Sequence, residues 1–144
     1  MSRLKIHRRR SVAVLAVLAL VALGIGVSQV LAAGTAIAPI QRGNDSCGAN
    51  VGTTQIGTVT FTKINKSTLR TAVTIKRGVP FDIYEVFLYD DSCNNLAFLG
   101  TFTTGPTGQG NHTFMSPTFG EVAFFINAED SFTDNDSVTV SVDG

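Results

Sequence analysis

The chain of 144 residues contains no tryptophan, two cysteines and two histidines. Zinc sites and acid–base or thiol catalysis need several imidazole, thiol or carboxylate groups close together, so this scarcity argues against both. Beyond the first 33 residues the one histidine is His112, and its alternation with Phe114 predicts a side chain on the face of a sheet. No serine stands in a GxSxG-type turn. The sequence therefore predicts a protein that is not an enzyme.

Acidic residues are absent from residues 1–33, although this segment holds five of the eleven basic side chains. The basic start is followed by the apolar run VAVLAVLALVALGIGV and then by the small residues LAAGTA. A basic region, an apolar region and a small-residue exit, in that order, are the parts of a secretory signal peptide. We predict a signal helix within residues 1–33, with Ala32, Ala33 or Ala36 at the −1 position of the cleavage site.

An uncleaved signal anchor is the alternative for the same segment. Sixteen residues from Val12 to Val27 give about 24 Å of helix, short of the roughly 30 Å hydrocarbon core of a membrane. The run reaches spanning length only when it is extended to Ala33. The pair Arg9 and Arg10 also loosely fits a twin-arginine signal. All readings export the chain from about residue 34, so we expect a secreted or cell-surface protein that touches the membrane only if the signal stays attached.

The exported part has few basic residues. Six lysines and arginines remain there against eleven aspartates and glutamates. Nucleic-acid recognition depends on basic side chains that neutralise phosphates. The composition therefore argues against a nucleic-acid partner, and an extracellular protein or glycan is the expected partner class.

The two cysteines, Cys47 and Cys93, are the only ones in the chain. No second CxxC pair or neighbouring histidine accompanies them, so metal ligation and thiol chemistry are disfavoured. Export places both in an oxidising compartment, where pairing is the expected state. We predict a Cys47–Cys93 disulfide, which ties an irregular N-terminal segment to the end of a hairpin and, on the loop-entropy model, contributes about 4 kcal/mol.

Hydrophobic residues in the exported part alternate with a period of two, which is typical of half-buried strands. We predict an all-β fold, an antiparallel β-sandwich of about seven strands over residues 56–144, preceded by an irregular segment over 34–55 and the signal helix over 1–33. The predicted strands cover 56–64, 69–76, 81–89, 97–104, 112–115, 119–129 and 137–142.

Details of these runs give further expectations. The strand 81–89 is apolar on both sides, which predicts a central strand covered on both faces or one whose outer face is shielded by a loop. Phe98 and Phe102 are expected on one side of their strand, and Val122, Phe124 and Ile126 are expected to point inward. The glycine-rich segment 105–110 is expected to be a hairpin turn.

The stretch YEVFLYDDSCNNLAFLGTFTTGPTGQGN resembles the immunoglobulin-like sandwich modules of bacterial secreted and cell-surface proteins in its strand order and turn residues. The resemblance covers about residues 56–142. It implies an extracellular and usually non-enzymatic role in adhesion, spacing or ligand presentation. The predicted disulfide departs from the bridge between sheets that antibody domains carry, and no tryptophan is present to pack against it.

Four acidic residues lie within eight positions in AEDSFTDND, between two predicted strands. Calcium prefers several oxygen ligands on one flexible loop, although the spacing is not that of an EF-hand. The candidate calcium ligands are Glu129, Asp130, Asp134 and Asp136. Solvated loops at the end of a sandwich are the other reading of the same residues.

Asn-x-Ser/Thr triplets begin at Asn44, Asn65, Asn111 and Asn135, all in predicted turns or strand ends, but the bacterial character of the signal argues against glycosylation. The expected function is a secreted, non-catalytic module with a structural, adhesive or binding role. A small secreted inhibitor or ligand carrier is the alternative, with the aromatic pairs Phe124–Phe125 and Phe87–Tyr89 lining a crevice. An extracellular enzyme built around His112 ranks last.

Overall fold

The computed structural model describes residues 29–32 as backbone, and residues 34–52 and 54–142 with their side chains. Within these residues the regular structure consists of strands. The nine strands are β1 (Gln29–Ala32), β2 (Thr35–Gln41), β3 (Gln55–Asn65), β4 (Thr68–Ile75), β5 (Ile83–Asp90), β6 (Asn95–Thr103), β7 (Gly110–Pro117), β8 (Ala123–Glu129) and β9 (Val140–Ser141). The predicted signal helix lies outside the described residues. Of the segment 1–33, the structure describes only Gln29–Ala32, which form β1.

Two antiparallel sheets form the fold. The five-stranded sheet has the order β1-β2-β3-β4-β7, and the four-stranded sheet has the order β6-β5-β8-β9. The predicted all-β antiparallel sandwich is therefore confirmed, and each of the seven predicted strands overlaps a strand from β3 to β9. The core lies between the sheets and includes Phe61, Tyr84, Leu88 and Phe124, all fully buried.

The sequence predicted an irregular segment over 34–55, but part of this segment is a regular strand. It contains β2, which pairs with β3 and places Ala36, Ala38 and Ile40 in the core. Alanine and proline have low strand propensity, so Pro39 and its alanine neighbours concealed the alternation. The outer edge of β2 pairs with β1 in its first half and is bridged by residues 136–138 in its second half.

A β-bulge in β6 reverses the expected orientation of one phenylalanine. Val86 pairs with Gly100 and Phe87 pairs with Phe98, so one extra residue is inserted on β6 between these positions. Phe98 consequently lies on the outer face, 55 % exposed, whereas Phe102 enters the core and is 8 % exposed. The prediction that both lie on one side is wrong because a bulge shifts the alternation by one residue.

The strand that is buried on both faces is β8 and not β5. Five consecutive residues of β8, from Phe124 to Ala128, are buried. On β5, alternate residues are buried, while Ile83 on the outer face is 56 % exposed. Val122, expected to point inward, precedes β8 and is 46 % exposed.

The connection between β6 and β7 is not a hairpin turn. These strands belong to different sheets, so the segment 104–109 crosses from the four-stranded to the five-stranded sheet. It is fixed there by backbone hydrogen bonds from Gly78 N to Gly108 O at 3.0 Å, from Phe81 N to Gly105 O at 3.1 Å and from Thr104 N to Asp82 O at 2.9 Å. Glycine and proline content marks a reversal but does not say which sheet the next strand joins.

Candidate functional site: the strap and the two sheet faces

A loop that we call the strap, residues 42–52, runs over the outer face of the four-stranded sheet. The carbonyl oxygen of Asn44 accepts a hydrogen bond from Asp136 N at 2.8 Å, and that of Gly48 accepts one from Thr139 N at 2.7 Å. The strap thereby satisfies backbone donors of the segment between β8 and β9. The strap also covers the outer face of β8 directly, because Gly48 lies against the ring of Phe125.

The predicted disulfide is present and fastens the strap. Cys47 lies in the strap and Cys93 in the hairpin turn between β5 and β6, with their Cα atoms 5.4 Å apart. Both cysteines have left-handed backbone angles, with φ of 54° and 66°. The Asp90 carboxylate braces the turn by accepting hydrogen bonds from Ser92 N and Asn94 N, each at 2.9 Å. Hydrogen bonds from Asn94 in particular hold the pKa of Asp90 below its usual value.

Under the strap lies an aromatic pair. The rings of Tyr89 and Phe125 are stacked with centroids 5.0 Å apart, and Phe125 is buried. Phe124, its neighbour in sequence, points to the opposite side and packs against Phe61 in the core. Phe87 instead pairs with Phe98, with ring centroids 5.1 Å apart. The four aromatic residues proposed to line a crevice therefore lie in three separate environments.

Asp136 is the buried carboxylate of this region. It accepts a hydrogen bond from Ser46 N of the strap at 3.2 Å, and its residue surface is almost wholly covered. Burial raises the pKa of Asp136 to about 6, and the negative charge of Asp45 acts in the same direction. A carboxyl group under the strap thus changes charge in mildly acidic solution.

Asp130 has a structural role in the loop between β8 and β9. Its carboxylate accepts hydrogen bonds from Phe132 N and Thr133 N, both at 2.9 Å, and from the Tyr84 hydroxyl at 3.2 Å. Asn135 Nδ2 donates to the same carboxylate at 3.2 Å. Aspartate side chains in turns typically accept hydrogen bonds from nearby backbone N–H groups in this way.

The last two candidate calcium ligands form a carboxyl pair. Burial raises the pKa of Glu129, and a hydrogen bond to Asp134 together with the charges of Asp134 and Glu85 raises it further. Glu85 lies directly opposite Glu129 on the neighbouring strand. Among the described residues, no group of three or more His, Cys, Asp or Glu side chains is arranged to hold a metal ion. The structure does not bring Glu129, Asp130, Asp134 and Asp136 together as one such group.

His112 is exposed on β7, with its ring 4.6 Å from that of Phe114.

The Asn-x-Ser/Thr triplets divide into two kinds. Asn44 and Asn135 are buried, and the latter donates through Nδ2 to Ala128 O at 2.9 Å. Asn65 and Asn111 are exposed, so only these two are accessible to a modifying enzyme in the folded state.

The charged side chains are separated between the two sheets. All six basic residues of the described part lie on β3 and β4 or on the residues that directly follow β2, β3 and β4: Arg42, Lys63, Lys66, Arg70, Lys76 and Arg77. The acidic residues lie on β5 and β8, on their flanking loops and on the strap. We call the outer surface around β4 the basic face and the outer surface around β5 the acidic face. The separation is visible in the sequence, since no lysine or arginine follows Arg77.

The basic face also borders a shallow cavity. It has a volume of about 210 Å³ and is lined by Gln55, Ile56, Gly57, Thr58, Lys76 and Arg77. The guanidinium of Arg42 donates to the carbonyl oxygen of Arg77 at its rim. The lining has no aromatic side chain, so it is not the aromatic crevice that a ligand carrier was expected to use.

No helix within the described residues is long and apolar enough to cross a membrane. In comparisons with known proteins, the chain matches no family model and no curated relative. Its function is therefore inferred from the two faces, the strap and the disulfide.

Proposed function

We propose that the protein is an exported, non-catalytic β-sandwich module with a structural or binding role at the cell surface or in the extracellular space. The Cys47–Cys93 disulfide carries this proposal. Disulfides persist in oxidising compartments and are rare in the cytosol, and the basic and apolar segment 1–33 supplies the means of export.

The strand order supports an immunoglobulin-like sandwich as the finer fold assignment. In that fold, strand B pairs with E in one sheet while C pairs with F, and F with G, in the other. Here β4 pairs with β7, β5 with β8, and β8 with β9. The chain departs from the antibody-type pattern because its disulfide joins a strap to a hairpin turn and does not cross the core. Modules of this architecture act mainly through their surfaces, although fold alone does not define a function.

The positions of the reactive side chains favour surface recognition over catalysis. Asp130 accepts hydrogen bonds from backbone groups of its own loop and Asp136 accepts one from the strap, and the exposed His112 lies beside Phe114. A general base needs a substrate site within hydrogen-bonding reach and an orienting partner. The side chains with unused charge are those of the basic and acidic faces, which suits an extracellular protein or glycan partner.

A pull-down with the protein recovered after export of the full chain tests this proposal. The protein is immobilised and exposed separately to extracellular proteins and to cell-wall glycans at low and high salt. Retention of glycans or of several surface proteins supports the module. Retention of a single protein at a one-to-one ratio favours a secreted inhibitor. Recovery of the chain in the cytoplasm with free thiols, or hydrolytic activity that tracks with the purified protein, contradicts the proposal.

A further inference from the structure

Across the part of the chain that the structure describes, the separation of charge leaves the basic and acidic side chains without partners of opposite sign. Within residues 34–52 and 54–142, no lysine or arginine forms an ion pair with a carboxylate. Arg70 donates to the hydroxyl of Thr62 and Arg42 to a carbonyl oxygen. We propose that copies of the protein stack on one another, with the basic face of one copy on the acidic face of the next. This inference rests on the proposed structural role and names a second copy of the chain as the partner.

The spacing of charges on the two central strands is the same. Arg70 lies on the outer side of β4, because the alternate residues Leu69, Val73 and Ile75 face the core, and Lys76 lies six residues later, directly after the strand. Glu85 and Asp91 are likewise six residues apart on the outer side of β5 and directly after it. Six residues of extended strand span about 20 Å. If β4 of one copy lies along β5 of another, both charge pairs meet at once.

The ends of the two faces also match in the amount of charge. At the end where β4 leads into β5, Lys76 has Arg77 and Arg42 beside it. The acidic face carries Glu129 and Asp134 beside Glu85 at the same end. At the opposite end of the molecule, the basic face carries Arg70 and the acidic face carries Asp91. The basic cluster of one copy therefore meets the acidic cluster of the next copy when all copies point in the same direction.

The centre of each face is less polar. Ala72 lies at the middle of β4, flanked by Thr60 and Thr113 on the neighbouring strands. At the middle of β5, Phe87 and the exposed Phe98 form a ring pair. A small side chain between threonines leaves room for a protruding phenylalanine. An apolar centre with a charged rim is the usual anatomy of a protein interface.

Because different surfaces meet, the contact is heterologous and the stack stays open, unless a rotation between copies closes it. The strap covers the outer face of β8 and β9 has only two residues. The open part of the acidic face is therefore β5 and β6, about 10 Å by 26 Å, which is smaller than most specific protein interfaces. We therefore expect weak, reversible association that depends on concentration and on salt.

Sedimentation velocity of the exported protein tests the stack. Between about 10 and 500 µM at low salt, the weight-average sedimentation coefficient is expected to rise, and it returns to the monomer value at about 0.5 M NaCl because screening weakens exposed charge pairs. A monomer at all concentrations in low salt overturns the proposal.

Two variants separate the faces. K76E/R77E damages the basic face and leaves the acidic face intact, whereas E85Q/E129Q does the reverse. Each alone is expected to weaken association at least about tenfold. Mixed one to one, they are expected to form heterodimers and nothing larger, because only one pair of intact faces remains. Monomers in the mixture, with both variants folded by circular dichroism, overturn the proposal.

The control variant K63E/K66E makes the same change in net charge at the hairpin between β3 and β4 and is expected to stack like the unmodified protein. Equal loss in K63E/K66E and K76E/R77E would show that net charge alone matters, and it contradicts the stack. The result is separable from the proposed function. A monomer that still captures a glycan or protein overturns stacking only, whereas a chain found in the cytoplasm with free thiols overturns the module itself.

Discussion

The α-carbon of Gly48 lies against the ring of Phe125, so close that an added Cβ would stand 2.8 Å from a ring carbon and would also overlap the hydroxyl of Thr139. The φ of Gly48 is +71°, in the left-handed region that favours glycine. The strap can cover β8 because this residue has no side chain. Gly48 therefore links the disulfide next to it to the burial of the four-stranded sheet.

Gly48→Ala is expected to lift the strap and destabilise the protein by about 2–4 kcal/mol, since backbone strain adds to a clash with buried atoms. Gly52→Ala is the matched control. Its φ is +70° and nothing lies within 4 Å of the added Cβ, so only the strain of about 1 kcal/mol remains. Chemical denaturation measures both. Equal losses in the two variants would show that the close approach of Gly48 to Phe125 and Thr139 does not hold the strap.

Removing the disulfide with the double variant Cys47→Ser/Cys93→Ser is expected to lower the free energy of unfolding by about 4 kcal/mol on the loop-entropy model, for a separation of 46 residues. Hydrogen exchange should accelerate at Asp136 N and Thr139 N, which donate to the strap. The amides of β3 and β4 serve as the internal control, because they pair within the other sheet. Acceleration that is uniform across both sheets would contradict a local role for the bond.

Stability is expected to fall as the pH rises from about 4 to about 6. The folded state binds the proton of Asp136 more tightly than the unfolded chain does, because its pKa is raised from 3.8 to about 6. Its contribution is complete below pH 3.8 and is lost as the pH passes through about 6, a change of at most about 3 kcal/mol. Glu129, whose pKa is also raised, acts in the same direction.

Asp136→Asn should reduce the loss of stability between pH 4 and 6. Glu129→Gln should reduce it less, because Glu129 is less buried. Thermal melts between pH 4 and 7 measure the effect. A melting temperature of the unmodified protein that rises over this range would refute the assignment.

The bulge in β6 predicts opposite results for two identical substitutions. Phe102→Ala removes a ring from the core, where it stacks on Tyr84 with centroids 5.6 Å apart, and should cost about 3–5 kcal/mol. Phe98→Ala removes an exposed ring on the other face and should cost less than about 1 kcal/mol. Similar losses from both would place the two rings on one side, as simple alternation had suggested.

Alternation of hydrophobic residues was enough to predict the β3 and β4 strands, because Val59, Phe61 and Val73 each face a core that covers one side of the sheet. It was insufficient where a local feature breaks the period of two. The bulge next to Gly100 moved Phe98 outward, and Pro39 concealed β2.

The candidate site was harder to predict from sequence than the fold. Pairing of Cys47 with Cys93 followed from the number of cysteines and the expected compartment. The burial of Asp136 did not, because it depends on a strap that is distant in sequence and touches it only in the folded state. The acidic residues from 129 to 136 look equivalent as a sequence, yet one braces a loop, one is buried and two share a hydrogen bond.

The structure also narrows the expected cleavage position. Ala36 is buried in the core and pairs with Phe61, so cleavage after it would remove a core residue of β2. Cleavage after Ala32 or Ala33 removes β1, and β2 remains held by β3 and by residues 136–138. We therefore predict a mature chain that begins at residue 33 or 34.

Mass spectrometry of the protein recovered after expression of the full chain tests the central claim, an exported module fastened by a disulfide, most directly. The predicted result is an N-terminus at residue 33 or 34, a mass lower than that of the reduced form by one pair of hydrogens, and a peptide that joins Cys47 to Cys93. An intact Met1 in the membrane fraction with the same bond would establish the uncleaved anchor. A chain in the cytoplasm that retains Met1 and both free thiols would contradict the account.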